Sequence, residues 1–150
     1  MRSQSPGMNT LGLGDSIVFG RNGNYMSFQP EGFGSEDSSG YTWNDGYSAS
    51  LKFQVVAPVD RISINVDPYI AERVSSQDLF IYLNGLWIGF SRVRQADVLQ
   101  CPIGPRYVVP GQNVLAFVMP NATSPKEIGL GSDLRRLGFA FREIAVSAGI

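Results

Sequence analysis

A chain of 150 residues, of which 43% are hydrophobic and 11% aromatic, is long enough to fold as one domain around a single core. Only 17% of the residues are charged and the formal net charge is -1, so the charge gives no indication of binding to nucleic acid or to an anionic membrane. The sequence contains no histidine, which excludes Ser-His and Cys-His nucleophile pairs and histidine metal sites.

The start of the chain is polar, and we expect residues 1–15 to form a flexible N-terminal segment before a single β-sandwich domain at residues 16–150. Residues 1–8 lack the apolar run of a secretory signal peptide, and no stretch approaches the roughly 20 apolar residues of a membrane span. We therefore expect a protein made in the cytoplasm without membrane insertion, and released by lysis as part of a particle if it leaves the cell.

Short segments rich in alternating apolar residues predict about eight or nine strands of an antiparallel two-sheet sandwich. The segments are residues 17–19, 25–28, 48–56, 61–66, 79–83, 86–89, 97–101, 114–119 and 139–146. In the last segment the apolar phase shifts between Phe141 and Ile144, which indicates a β-bulge. The lone cysteine, Cys101, falls in a strand and is expected to be a buried free thiol. Residues 29–47 form a long loop with embedded aromatic residues.

Three local signals predict turns. Asn84-Gly85 can take the positive φ angles of a two-residue type I′ turn, which makes residues 79–89 a hairpin. Pro110-Gly111 predicts a turn that leads into the strand at 114–119. Ser124-Pro125-Lys126-Glu127 predicts one helical turn with a capping box, ended by Gly129.

Several of these stretches resemble known families. The Asn84-Gly85 hairpin, followed by Pro110-Gly111-Gln-Asn113, resembles the core of galactose-binding-domain-like jelly rolls. A second likeness is to the β-sandwich module appended to bacterial glycosyltransferases of capsule and exopolysaccharide assembly. It is carried by Gly32-Phe-Gly-Ser-Glu36, Gly40-Tyr-Thr-Trp43, Gly46-Tyr-Ser-Ala49, Pro120-Asn-Ala122-Thr-Ser124-Pro125 and Asp133-Leu-Arg135-Arg136-Leu137-Gly138. The resemblance implies an all-β protein: a two-sheet antiparallel β-sandwich of the jelly-roll, galactose-binding-domain-like type.

The same resemblance implies a function. The module has no established chemistry of its own, so we expect a non-catalytic carbohydrate-binding protein that recognises bacterial surface polysaccharide, capsular or exopolysaccharide. A module standing without a transferase domain suits the attachment protein of a phage or phage-derived particle, displayed in several copies by another protein. The competing interpretation is a structural or assembly module that docks onto a partner protein and binds no glycan.

Aromatic residues of the long loop are the first candidates for sugar binding, because a flat ring can stack on the apolar face of a pyranose. These residues are Tyr41, Trp43 and Tyr47, of which Tyr41 and Tyr47 are expected to reach solvent. The alternative for Trp43 is that it closes one end of the sandwich. Trp87, after the hairpin turn, is a further candidate that alternation leaves either in the core or exposed.

Charged residues of the family-like stretches are the second candidates. Glu36, Asp133 and Arg135 could hydrogen-bond sugar hydroxyls, and an arginine fork also suits an acidic sugar. Alternatively they form a buried ion pair that ties the long loop to the connection at residues 120–137. No spacing supports a glycosidase pair of Glu36 with Asp45 or Asp133, or a calcium site near Asp67 or Asp133, so we expect no enzyme activity and no cofactor.

Overall fold

The computed structural model describes residues 9–34, 38–56 and 58–148, which form ten strands and three short 3₁₀ turns. The strands are β1 (Thr10–Leu11), β2 (Ser16–Val18), β3 (Thr42–Trp43), β4 (Ser48–Val55), β5 (Arg61–Pro68), β6 (Gln77–Leu83), β7 (Leu86–Val93), β8 (Asp97–Pro102), β9 (Asn113–Val118) and β10 (Phe139–Ser147). Within this part of the chain, no helix has the length and hydrophobicity needed to cross a membrane.

The strands pair into two five-stranded sheets. The first sheet has the order β1-β4-β9-β6-β7, and the second has the order β2-β10-β5-β8 with β3 also paired to β10. The pairing of β1 with β4 is parallel, whereas the pairings that build the rest of both sheets are antiparallel. The predicted two-sheet antiparallel sandwich of jelly-roll type is confirmed.

The core lies between the inner faces of the two sheets. The predicted alternation is confirmed, because Leu51 of β4 and Ile64 of β5 point inward and are fully buried. Near the centre, Phe117 of the first sheet contacts Phe141 of the second, with ring centroids 4.9 Å apart. Fully burying an apolar side chain stabilises the fold by about 1.5–3 kcal/mol, so the inward positions favour this register over any one-residue slip.

The hairpin between β6 and β7 has the predicted type I′ turn, with positive φ at both Asn84 (52°) and Gly85 (81°). Asn84 also uses its side chain, donating from Nδ2 to the carbonyl oxygen of Tyr107 at 2.7 Å and to Oδ1 of Asn113 at 2.9 Å. The turn therefore fixes the entry of the chain into β9 as well as the hairpin itself.

Residues 25–28 were predicted as a strand, and this prediction is wrong: they form a 3₁₀ turn. Tyr25 and Phe28 are both buried, and side chains three residues apart share one face of a 3₁₀ turn but point to opposite faces of a strand. The ring of Tyr25 stacks on Phe19 with centroids 5.1 Å apart. Tertiary packing thus decides the local conformation.

The ordered sandwich includes residues that the sequence analysis left outside it. Residues 9–15 were assigned to a flexible terminal segment, yet they contain β1, which pairs with β4, and Leu11 is buried in the core. The long loop at 29–47 likewise contains β3, which pairs with β10. Two-residue strands are too short to show a period in the sequence, so pattern analysis could not find them.

Two smaller predictions have mixed outcomes. A 3₁₀ turn does form at Lys126–Ile128 and ends at Gly129, whose φ is 78°. Its capping box does not form, because the hydroxyl of Ser124 donates to the carbonyl oxygen of Asp133 instead. The β-bulge in β10 is confirmed by a register shift between Phe141 and Glu143.

Cys101 is a buried free thiol, as predicted. Burial raises the pKa of this thiol to about 11, because the thiolate would be poorly solvated there. The thiol is therefore protonated at neutral pH and packs as a small apolar side chain.

We expect the Asn113→Ala variant to lower the free energy of unfolding by roughly 1–3 kcal/mol, because the buried groups that Asn113 pairs would lose their partner. Asn113 is fully buried; its Oδ1 accepts the backbone N–H of Val109, and its Nδ2 donates to the carbonyl oxygens of Val109 and Gly111. Urea denaturation measures the change. The exposed Asn22 provides the matched control, and equal losses for Asn22→Ala and Asn113→Ala would contradict this role.

Candidate functional site

The long loop and the connection before β10 meet at one end of the sandwich. The backbone N–H of Gly46 donates to the carbonyl oxygen of Arg136 at 2.9 Å, and the backbone N–H of Arg136 donates to the Asp45 carboxylate at 3.0 Å. Hydrogen bonds to the main chain therefore join the two segments.

Asn44 is the centre of this junction. Its Oδ1 accepts the backbone N–H groups of Gly138 at 2.7 Å and Phe139 at 2.8 Å. Its Nδ2 donates to the carbonyl oxygens of Gly46 at 2.8 Å and Arg136 at 3.4 Å. We call these four hydrogen bonds of the fully buried Asn44 side chain the Asn44 clasp. The clasp satisfies backbone groups that would otherwise be buried without a partner.

Asp133 and Arg135 form a local, half-buried ion pair. Arg135 donates from Nε and Nη2 to the two carboxylate oxygens of Asp133, at 3.1 and 2.8 Å, and the two side chains remain 25% and 34% exposed for Arg135 and Asp133 respectively. Hydrogen bonding to Arg135 holds the pKa of Asp133 below its usual range. Arg135 also packs on Gly34, where a Cβ would lie 3.3 Å from its Cδ. The third predicted member, Glu36, lies outside the described residues.

Tyr41, Trp43 and Tyr69 form a cluster of rings, which we call the aromatic cluster. The centroid of Trp43 lies 6.2 Å from that of Tyr41 and 6.1 Å from that of Tyr69, with nearly perpendicular planes in both pairs. Trp43 is the register partner of Ala140, whose neighbours along β10 point into the core. Because directly paired residues point to the same face, Trp43 lies on the outer face of the second sheet, where it is half-buried.

A cation and a carboxylate stand beside the aromatic cluster. The bulge in β10 leaves Arg142 as the extra residue, and its guanidinium lies over the ring of Tyr41, 5.4 Å from the centroid. Arg142 Nη2 is 3.5 Å from Oδ2 of Asp67, which lies on the outer face because it pairs with Ala140. The side chains of Arg142 and Asp67 are 40% and 43% exposed, so both charged groups reach solvent.

Tyr47 is exposed, as predicted, but lies apart from this cluster. The guanidinium of Arg136 lies over its ring at 5.0 Å from the centroid, and that guanidinium also pairs with Glu127 at 2.7 Å. One face of the Tyr47 ring is therefore covered by a side chain of the protein itself.

Trp87 lies on the opposite sheet and is 60% exposed, which resolves the alternatives left open for it. It is the register partner of Tyr82. Phe80, the register partner of Val118, packs against Phe90 with ring centroids 4.8 Å apart and the planes tilted by 49°. We call these five residues the Trp87 face. It is a largely apolar patch on the outer surface of the first sheet.

Two of the carboxylates considered for catalysis or calcium, Asp45 and Asp133, are engaged by neighbouring groups of the protein. Asp45 accepts a backbone N–H, and Asp133 is paired with Arg135. Across residues 9–34, 38–56 and 58–148, no three Cys, Asp or Glu side chains lie close enough together to hold a metal ion.

Sequence reasoning missed Tyr69, Arg142 and Asn44. The predicted bulge was a usable signal for Arg142, because the extra residue of a bulge is often redirected toward a functional surface. Tyr69 follows the end of β5 directly, and only the pairing of β3, β10 and β5 brings it to Trp43. Nothing in the sequence distinguishes the buried Asn44 from an ordinary loop asparagine.

Neither a family model nor a curated protein sequence matches the chain. Solved structures do match its fold. A family 6 carbohydrate-binding module has a TM-score of 0.53 at 8% identity, and the match covers 97% of this chain and 100% of that one. The CBM36-1 domain of a multidomain xylanase from the hindgut metagenome of Trinervitermes trinervoides has a TM-score of 0.52 at 8% identity, covering 91% and 98%. These likenesses show that the chain has the β-sandwich fold of such modules.

We expect Asn44→Ala to lower the free energy of unfolding by roughly 2–4 kcal/mol, because two buried N–H groups lose their acceptor at about 1–3 kcal/mol each. Urea denaturation measures the loss. The neighbouring Asp45→Asn variant is the control, since an amide oxygen can still accept the N–H of Arg136. If both variants unfold at the wild-type urea concentration, Asn44 is not what holds the two segments together.

The Asp133–Arg135 pair predicts a contribution to acid sensitivity. The pKa of Asp133 is lower in the folded state than in the unfolded state. The pair therefore stabilises the fold fully at a pH above the unfolded-state pKa, and this stabilisation is lost as the pH falls through the folded-state pKa. Melting temperatures measured from about pH 6 to about pH 2 should therefore fall less steeply for Asp133→Asn than for the wild type. Identical slopes would show that the pair contributes nothing.

Proposed function

We propose that the protein is a non-catalytic carbohydrate-binding module whose sugar site is the aromatic cluster together with Asp67 and Arg142. The observation that carries the proposal is the contact of a partly exposed ring, that of Tyr41, with the solvent-facing guanidinium of Arg142, which in turn lies beside the solvent-facing carboxylate of Asp67. A pyranose presents an apolar C–H face and a rim of hydroxyl groups. A site for it needs both a ring to stack on and planar polar groups beside that ring.

The spacing of the two charged groups suits hydrogen bonding to hydroxyls. Arg142 Nη2 and Asp67 Oδ2 are 3.5 Å apart, longer than the about 2.7–2.9 Å of a close charge-assisted hydrogen bond. Both groups therefore retain donors and acceptors for a ligand. Stacking on Tyr41 holds the guanidinium in place without using its N–H groups.

The two solved proteins described above are carbohydrate-binding modules by name, one of family 6 and one designated CBM36-1. Since one fold hosts many functions, the likeness supports the class of ligand and the site itself is argued from this chain's own side chains.

We infer further that the glycan is a bacterial surface polysaccharide, capsular or exopolysaccharide. Support comes from the stretches that resemble the module of capsule-assembly glycosyltransferases, one of which contains Trp43. In this proposal the protein is displayed in several copies on a larger assembly, as in the attachment apparatus of a phage or phage-derived particle. A shallow site with a Kd near about 10 μM, or about 7 kcal/mol, would adhere well only in multiple copies.

The Trp87 face favours a second candidate function, docking onto a partner protein without glycan. Trp87, Phe90 and Val118 are exposed on it, and such apolar patches often mark protein interfaces. The face offers a sugar fewer polar groups than the aromatic cluster does, because its members are apolar apart from the hydroxyl of Tyr82 and the indole N–H of Trp87.

We expect Tyr41→Ala to weaken glycan binding by about tenfold, roughly the 1.4 kcal/mol of one aromatic stacking contact, with little change in melting temperature. The glycan is selected on an array of bacterial polysaccharides, and isothermal titration calorimetry measures the affinity. Arg142→Gln should weaken binding through lost hydrogen bonds. Met26→Ala, which removes an exposed side chain outside the cluster, is the control.

Cell binding separates the two candidate functions. The glycan proposal expects retention on capsule-bearing cells and none on capsule-deficient cells, lost in Tyr41→Ala and preserved in Trp87→Ser. Equal retention on both cell types, or none on either, contradicts a capsular ligand. If Trp87→Ser loses retention and Tyr41→Ala keeps it, the Trp87 face and not the aromatic cluster is the surface that binds the cells.

A further inference from the structure

We propose that a polar groove beside the aromatic cluster binds the carboxylate of an acidic sugar residue, so that the polysaccharide recognised carries uronic acid. This inference rests on the proposed function and names the class of ligand. The groove has a volume of about 410 Å³ and lies where the β5–β6 connection, the start of β6 and the segment after β9 come together. Its polar lining includes Arg73, Ser75, Ser76, Arg92, Asn121 and Thr123.

The groove is rich in hydrogen-bond donors. The serine hydroxyls and both guanidinium groups can donate to a ligand, whereas the amide and carboxylate oxygens of the lining each already accept a hydrogen bond within the protein. Asn121 accepts the backbone N–H of Asp78 through Oδ1 at 2.8 Å, which leaves its amide nitrogen as the remaining polar atom. Both carboxylate oxygens of Asp78 accept from Arg92, at 2.8 and 3.0 Å. A site with surplus donors favours an anionic ligand over a neutral one.

The charge of the groove is positive by one unit. Asp78 and Arg92 neutralise each other as an ion pair, and hydrogen bonding to Arg92 holds the pKa of Asp78 below its usual range. Arg73 is the remaining charged residue of the lining and has no ion-pair partner among the described residues. The excess is local, because the chain as a whole has a formal net charge of -1.

The aromatic cluster itself is balanced. Arg142 stands beside Asp67, and the guanidinium of Arg135 donates from Nε and Nη2 to the carboxylate of Asp133. Near the cluster, these described ion pairs leave no surplus positive charge for an acidic sugar. The guanidinium of Arg135, one of the sequence candidates for an acidic sugar, is occupied by the carboxylate of Asp133.

The groove and the aromatic cluster are neighbours. Gln77, flanked by the groove residues Ser76 and Asp78, donates from Nε2 to the carbonyl oxygen of Tyr69 at 3.0 Å. Tyr69 is a member of the aromatic cluster, and Arg73 follows it by four residues on the same connection. In this proposal one glycan chain passes around the end of β5, with a neutral residue on the rings and an acidic residue in the groove.

The test is an NMR titration of the ¹⁵N-labelled protein with glucuronate and galacturonate, and with glucose and galactose as their neutral counterparts. We expect the uronates to shift the backbone signals of Ser75 and Ser76 with affinities about three- to tenfold higher than the neutral sugars. The preference should shrink as salt rises from about 0.01 to about 0.5 M, since the charges are exposed. Arg73→Gln should abolish the preference.

Arg106→Gln is the matched control. Arg106 precedes Tyr107, whose carbonyl oxygen accepts from Asn84 at the opposite end of β6, so its replacement should leave uronate binding unchanged. Sodium acetate forms a further arm, because equal shifts with acetate would show a site for any carboxylate and overturn an acidic sugar as its ligand.

The outcomes separate this inference from the proposed function. Sugar-induced shifts at Tyr41 and Trp43 without any uronate preference at Ser75 and Ser76 would contradict the groove as a uronate site. They would still support the aromatic cluster as the sugar site. A uronate preference that survives Arg73→Gln would also contradict the groove as a uronate site. No shift at either place with any sugar would contradict both proposals.

Discussion

Four hydrogen bonds from one buried side chain, that of Asn44, hold the irregular end of this sandwich together. The long strands pair along their length, but the long loop and the connection before β10 have only the two-residue strand β3 and isolated β-bridges. The clasp satisfies backbone groups from both segments, so that β3 can pair with β10 at Trp43. Without that pairing the indole of Trp43 would not reach Tyr69 across β10, and the aromatic cluster would not exist. The candidate sugar site therefore depends on the hydrogen bonds of a buried structural residue, Asn44.

The second dependence is on the bulge in β10. Phe141 points inward, and an uninterrupted strand would then turn Ile144 and Val146 away from the core. The extra residue, Arg142, shifts the alternation by one position, and its guanidinium lies over the ring of Tyr41. The hydrophobic core is not interrupted, because Ile144 and Val146 lie on the inner face after the bulge. The strand therefore serves both the core and the outer surface.

Charge is arranged locally around these surfaces. Two guanidinium groups are neutralised by carboxylates close to them in the fold. Arg92 pairs with Asp78 on the neighbouring strand, and Arg135 pairs with Asp133 within one short segment. Ion pairs that remain open to solvent contribute at most about 1 kcal/mol to stability, so their main effect is on which ligands the surface attracts. Arg73 stands outside this arrangement, and the five residues of the Trp87 face carry no formal charge. The same strand pair, β6 with β7, therefore presents a charged end at Asp78 and Arg92 and an apolar end at Trp87.

The sequence by itself determined the fold class. Alternation in β4 and β5, the Asn84-Gly85 turn and the phase shift in β10 are local signals, because period and turn chemistry depend only on neighbouring residues. It also placed Tyr41 and Trp43 among the aromatic residues worth examining. Tertiary structure alone decided the rest: the turn at Tyr25–Phe28, the two-residue strands, the buried role of Asn44, and the meeting of Trp43 with Tyr69. Each of these depends on contacts between residues far apart in the chain, and no local pattern encodes such contacts.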